Sequence, residues 1–134
     1  MVKFIILGYS IVLITVFCAL KQDNELQQSV ARGAVVYADF CITCHQGNGQ
    51  GVQGAFPPLA QSDFLLNKRV ESIKAIKYGL KGEIVVNGVT YNGNMASQGL
   101  SDEEVADVMN YILNSWGNKG GKIVTVEEVT KIKR

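Results

Sequence analysis

The chain is poor in the residues that build metal clusters and histidine-based active sites: 134 residues hold one histidine, three cysteines and two prolines. With His45 alone, two-histidine ligation of a metal is excluded within one chain, as is a second cofactor site of the same kind. A structural zinc site takes four N or S ligands, usually from two separated pairs. Cys18 lies in the N-terminal apolar run, so Cys41, Cys44 and His45 would stand alone and zinc would lack a ligand. Charge of one sign is also missing. The formal net charge is +1, and past residue 20 basic and acidic residues balance, which argues against a nucleic-acid partner. No repeat or low-complexity segment interrupts the chain, and its length suits one small domain.

Long apolar runs occur once. Lys3 is followed by an uncharged stretch from Phe4 to Leu20 and then by polar residues from Lys21 to Glu25. Residues 1–20 are therefore expected to be an N-terminal signal or membrane-anchor segment. The run is slightly long for a signal-peptide core of ~7–15 residues and at the short limit of a spanning helix of ~17–25. Three fates fit: retention as an anchor, cleavage near Ala19, or replacement by lipid on Cys18. Under each, Lys3 on the cytoplasmic side puts the rest of the chain outside, on the periplasmic side of a bacterial cytoplasmic membrane, anchored or soluble after cleavage. Residues 21–28 read as a linker, 29–117 as the folded domain, and 118–134 as a C-terminal tail with a short helix.

Within the domain, Leu26, Val30, Ala34, Tyr37 and Ala38 recur at helical spacing, so a first helix runs to Phe40. Glycines 47, 49, 51 and 54 and prolines 57 and 58 then impose a loop. A helix is expected over 67–78 with Gly79 as its stop. Ile84–Val86 and Val89–Tyr91 flank Asn87-Gly88, a strong hairpin signal near residues 84–91. Ser101 and Glu104 form a capping box, with Leu100 poised to staple onto Val105. Val105, Val108, Met109, Ile112, Leu113 and Trp116 make one apolar stripe, stopped by Gly117. A last helix is expected to start at Thr125, with Glu128 completing its cap.

Two cysteines and the histidine fall in "CITCH", Cys41 to His45. A redox C-x-x-C opens a helix after a strand, whereas these cysteines end a helix. A disulfide across a two-residue gap would close a strained ring. Covalent haem attachment remains: Cys41 and Cys44 join the two vinyl groups of haem c, and His45 ligates the iron. The other axial position then falls to a methionine, a weaker donor or nothing. Met1 is the initiator and Met109 belongs to the helical stripe. Met95, in "YNGNMASQGLS", serves no stripe and is the candidate ligand, so the metal-binding pair is His45 and Met95. A thioether favours ferrous iron and saturates it, which suits electron transfer.

The span from about 27 to 117 resembles the class I, mono-haem cytochrome c family, on the motif C-I-T-C-H, Pro57-Pro58-Leu59, Met95 and the aromatic C-terminal helix. More narrowly, "VNGVTYNGNM" with "LSDEEVADVMNYILNSWGN" is similar to cytochrome c modules linked to copper nitrite reductases and to cytochrome subunits of membrane dehydrogenases. The resemblance implies a mainly α cytochrome c fold, with three to five helices around one covalently bound haem. It implies that Gly33 meets Tyr111 or Trp116 where the first and last helices cross, and that the Pro57 carbonyl holds the second nitrogen of His45. It also marks a departure: Ala96 follows Met95 where the family commonly has proline.

The expected function is that of an exported carrier passing single electrons between redox proteins, such as a membrane dehydrogenase, an oxidase or a nitrite-reductase-like enzyme, and not an enzyme in itself. Alternatives are a haem enzyme or gas sensor with an open or labile sixth iron position, or a permanent cytochrome subunit of a larger oxidoreductase. Lys68, Arg69, Lys74, Lys77 and Lys81 form a candidate basic patch for an acidic partner, set against the alternative of a solvated helix face.

Overall fold

The structure, a computed structural model, describes the backbone from Val2 to Arg134, and the side chains of Leu13, Phe17 and residues 21–134. Six helices and one hairpin follow in order: α1 (Val2–Phe40), α2 (Ile42–His45), α3 (Asp63–Asn67), α4 (Arg69–Tyr78), β1 (Leu80–Val86), β2 (Val89–Met95), α5 (Asp102–Leu113) and α6 (Val126–Lys131). Three to five helices were expected; the surplus comes from short pieces, α2 inside the cysteine motif and α3 ahead of α4. Residues 21–28, expected as a linker, continue α1 without a break. Among the described residues no helix is long and apolar enough to cross a membrane. The expected export segment, residues 1–20, falls almost wholly outside the described side chains.

The frame is the crossing of α1 over α5. At Gly33 an added Cβ would collide with the Asp107 carbonyl and reach within 2.9 Å of Tyr111 Cβ, so only glycine lets the backbones approach this closely. The partner of Gly33 is thus Tyr111, and Trp116 stands elsewhere. Val105, Val108, Met109, Ile112 and Leu113 are buried as the stripe requires, with Met109 fully so. Trp116 departs from that stripe: α5 ends at Leu113, and Trp116 adopts a left-handed φ of 52° before Gly117. Its ring packs 5.1 Å from Tyr37, which also meets Tyr111 at 5.3 Å.

A polar knot pins the same crossing. Asp107, 5% exposed, accepts from Ser29 Oγ at 2.6 Å and from Arg32 Nε and Nη2 at 2.6 and 2.8 Å. Asn110, buried beside it, donates to Ser29 Oγ and to the Val124 carbonyl. Val124 N–H in turn donates to Asn110 Oδ1. The tail is thereby stitched to α5, and Val124 and Val129 complete the core. Buried polar groups of this kind must be satisfied, and each of these is.

The hairpin turns at Asn87 (φ 51°) and Gly88 (φ 76°), the paired left-handed conformation that Asn-Gly favours. It is longer than expected, pairing Leu80 with Met95 through Val86 with Val89. The capping box at Ser101 and Glu104 and the Thr125 cap of α6 form as the sequence implies. The helix expected over 67–78 begins at Arg69, because Lys68 (φ −121°, ψ 59°) breaks it from α3, which Ser62 caps.

Candidate haem site

His45 ends α2, one turn after Cys41, and is 9% exposed. Its Nδ1 lies 3.0 Å from the Pro57 carbonyl oxygen, and Nε2 makes no hydrogen bond among the described residues. The loop between them is folded back on itself. Gly51 N–H donates to the His45 carbonyl, and Leu59 and Ala60 N–H donate to the Gly49 carbonyl. Glycine is required twice: at Gly51 (φ +64°) a Cβ would strike the Phe56 carbonyl and come 2.7 Å from that of Pro57. At Gly49 (φ +67°) it would lie 2.5 Å from the Trp116 ring, whose Nε1 donates to the Gly47 carbonyl. Trp116 therefore braces the cysteine loop, a role that its place in the helical stripe concealed.

Burial pushes the His45 imidazole below its ordinary pKa, an effect partly opposed by the Pro57 carbonyl. The ring is held neutral, the form that binds metal. Cys41 and Cys44 are not bonded to each other. Burial, followed by the neighbouring Cys44, pushes the Cys41 thiol up to about 11. A thiol so far above neutrality is a poor exchange nucleophile, against a disulfide-redox use of the motif.

Two adjoining clefts open onto these groups. The smaller, about 80 Å³, is walled by Cys41, His45, Pro57, Leu59, Ile76 and Met95 among others. The larger, about 380 Å³, reaches Phe40, Cys44, Phe56, Ile84, Tyr91 and again His45 and Met95. Met95 is not in a loop, as expected, but closes β2, paired with Leu80. Two observations fix its segment. At Gly79 (φ +83°) a Cβ would come 2.6 Å from the Met95 carbonyl and 2.9 Å from Ser97 N. Ser97 Oγ donates to the Lys77 carbonyl at 2.9 Å. Neither Gly79 nor Ser97 stood out as a site residue in the sequence, since each contact depends on where the hairpin returns.

The donor set fits a covalently held haem: two thiols at one edge, a neutral imidazole oriented through its far nitrogen, a thioether sulfur, and apolar walls. Ser72 Oγ on the wall of the smaller cleft is a buried side-chain atom without a protein partner, as expected where a bound group completes the wall.

The sequence pattern of the cytochrome c family matches residues 30–116. The chain belongs to the cytochrome c family. This cytochrome is 47% identical over 112 residues to cytochrome c-552 of Thermus thermophilus, covering 77% of this chain and 85% of that one. It is 34% identical over 110 residues to the cytochrome c subunit of alcohol dehydrogenase (quinone) from Gluconacetobacter polyoxogenes, covering 75% of this chain and 22% of that one. A further relative is the FixP subunit of the cbb3-type cytochrome c oxidase of Bradyrhizobium diazoefficiens, 31% identical over 97 residues, 69% of this chain and 32% of that one. The dehydrogenase and oxidase subunits are thus several times longer than the matched region. The chain is an electron-carrying c-type cytochrome with a covalently attached haem c, and Cys41 and Cys44 stand at the attachment spacing.

Two of the five residues of the candidate basic patch are engaged within the chain. Arg69 is committed to Glu128 at 2.7 Å and to the Lys122 and Ile123 carbonyls. Lys77 is committed to Asp102 at 2.7 Å and to the Val129 carbonyl. These two cations clamp the tail to α4.

Proposed function

We propose that His45 and Met95 are the two protein ligands of the haem iron, and that the domain works outside the cytoplasm. The observation that carries the ligand pair is that Met95 and the one histidine of the chain, His45, both line each of the two clefts. Met109 is spent in the core.

Bound haem supplies the Fe(III)/Fe(II) couple. The chain's residues do the rest. Cys41 and Cys44 tether the group, and the Pro57 carbonyl keeps the proton on Nδ1 so that Nε2 is the donor atom. The soft Met95 sulfur favours the reduced state and raises the potential. The apolar walls exclude water, which would otherwise compete for the metal.

Residues 1–20 act as export signal or anchor and set the periplasmic location, with 21–28 leading into the domain at 29–117. Lys3 and the apolar run from Phe4 to Leu20 support this. The names of the relatives, cytochrome subunits of a quinone alcohol dehydrogenase and of a cbb3-type cytochrome c oxidase, support a dehydrogenase or an oxidase as redox partner, and the resemblance noted in the sequence adds a nitrite-reductase-like enzyme.

The ligand pair is tested in the haem-loaded protein. The ferric form should show the red-end absorption band that reports sulfur ligation, and Met95→Ala should abolish it. High-spin ferric haem in the unmutated protein would refute the assignment. One mass measurement of native protein reads haem attachment, cleavage and acylation together.

A further inference from the structure

The sequence pattern of the family ends at residue 116, and the tail beyond it is bound to one particular place, the last turn of α4. Lys77 Nζ donates to the Val129 carbonyl at 2.9 Å and pairs with Asp102 Oδ1 at 2.7 Å. Tyr78 Oη donates to the Ile132 carbonyl at 2.9 Å, and the Arg134 guanidinium stands 5.5 Å from the centre of the same ring. Val129 is fully buried in the core, so apolar burial anchors the attachment as well.

The turn that receives the tail also carries the Met95 segment. Lys77 sends its side chain to the tail and offers its backbone carbonyl to Ser97 Oγ. Gly79 has the backbone of Met95 and Ser97 so close that no Cβ fits, and Leu80 then pairs with Met95. Residues 96–100 have no regular structure. Among the described residues, the Ser97 bond is the one hydrogen bond they make to another element. Ala96 brings none of the stiffness of a proline ring. The segment thus takes its position from the end of α4, and the end of α4 is held by the tail. Lys77, Tyr78, Asp102, Val129 and Ile132 line neither cleft, so these contacts do not depend on what fills it.

We infer that Lys77 and Tyr78 are positioning residues for the iron's methionine, and that the tail, by holding them, sets how readily Met95 leaves the metal. The sulfur departs only when its segment moves off the end of α4. A firmly held helix end offers that segment one position, and a released one offers several. The inference rests on the reading of Met95 as a ligand. Linkage makes the relation reciprocal: if the tail contacts favour bound Met95, displacing Met95 loosens the tail to the same extent.

Imidazole is the probe. In the haem-loaded ferric protein it takes the place of Met95: one Fe–S bond breaks, one Fe–N bond forms, the iron stays ferric and the red-end band disappears. At saturating imidazole the rate is that of sulfur departure. Lys77→Leu, which removes the ion pair and the bond to Val129, should raise it by about tenfold or more, and Tyr78→Phe, which removes one neutral bond, by about two- to fivefold. Asp107→Ala weakens the α1 crossing and not this turn, and should leave the rate within about twofold, which separates positioning from a general loss of stability. In the unmutated protein, imidazole should speed hydrogen exchange along α6 while leaving α1 at the crossing unchanged. An unchanged rate in Lys77→Leu, an equal acceleration in Asp107→Ala, or α6 exchange indifferent to imidazole would overturn the inference. The red-end band is recorded first. Its absence from the unmutated protein overturns the Met95 reading and the inference with it, whereas its presence beside any of those three results overturns the inference alone.

Discussion

His45 Nδ1 lies 3.0 Å from the carbonyl oxygen of Pro57, and Gly51 is packed beneath that same carbonyl. The histidine's orientation is therefore set by a loop that can close only over a glycine. A hydrogen bond of this kind raises the basicity of the ligating nitrogen, which stabilises ferric iron.

Gly51→Ala tests this relationship. A Cβ at φ +64° is strained and displaces the Pro57 carbonyl, so stability should fall by roughly 1–3 kcal/mol. The reduction potential should rise as the imidazole loses its acceptor. Thermal melts and a redox titration read the two effects separately.

Ser97→Ala removes the hydroxyl that ties the segment after Met95 to the end of α4. The red-end band should weaken, and the pH at which the methionine is displaced should fall. Ser97→Thr keeps the hydroxyl and should restore both. A pH titration of the ferric spectrum is the measurement.

Asp107→Ala leaves Ser29 and Arg32 without their shared acceptor at the helix crossing and frees the Ser29 hydroxyl to which Asn110 donates. Arg32 is half in solvent and recovers part of its loss, so the expected cost is roughly 2–4 kcal/mol. Chemical denaturation should show the midpoint falling with no change in the haem spectrum of the native state.

Acid should loosen the tail. Hydrogen bonding from Lys77, then Thr130, holds Asp102 below its ordinary pKa, and Arg69 does the same for Glu128. A depressed carboxylate contributes stability that is complete above its unfolded pKa and is lost as pH falls through the folded one. The clamp should thus be intact at neutral pH and release below about pH 4. Hydrogen exchange along α6 should rise there ahead of α5, and Asp102→Asn should raise α6 exchange already at neutral pH.

What the sequence made legible was chemistry with a local signature. Asn87-Gly88 announced the turn, Ser101 and Glu104 the start of α5, Thr125 and Glu128 that of α6, and Cys41 to His45 the haem. Signals that depend on distant chain were hidden. Asp107 and Asn110 look like the solvent side of an amphipathic helix, yet they are buried because α1 and the tail bring Ser29 and Val124 to them. Arg69 and Lys77 look like a free patch until α6 packs against them. Met95 looks like loop because Asn92, Gly93 and Asn94 are poor strand formers; pairing with Leu80–Glu83 overrides that preference. α3 is too short to show a period, and only its Ser62 cap betrays it.

The central claim, one histidine and one methionine on one iron, is tested most directly by X-ray absorption at the iron edge of the haem-loaded ferric protein. The account predicts a sulfur scatterer in the first shell together with the nitrogens, lost in Met95→Ala and kept in Ser97→Thr. A first shell without sulfur in the unmutated protein, or a sulfur that persists in Met95→Ala, would contradict it.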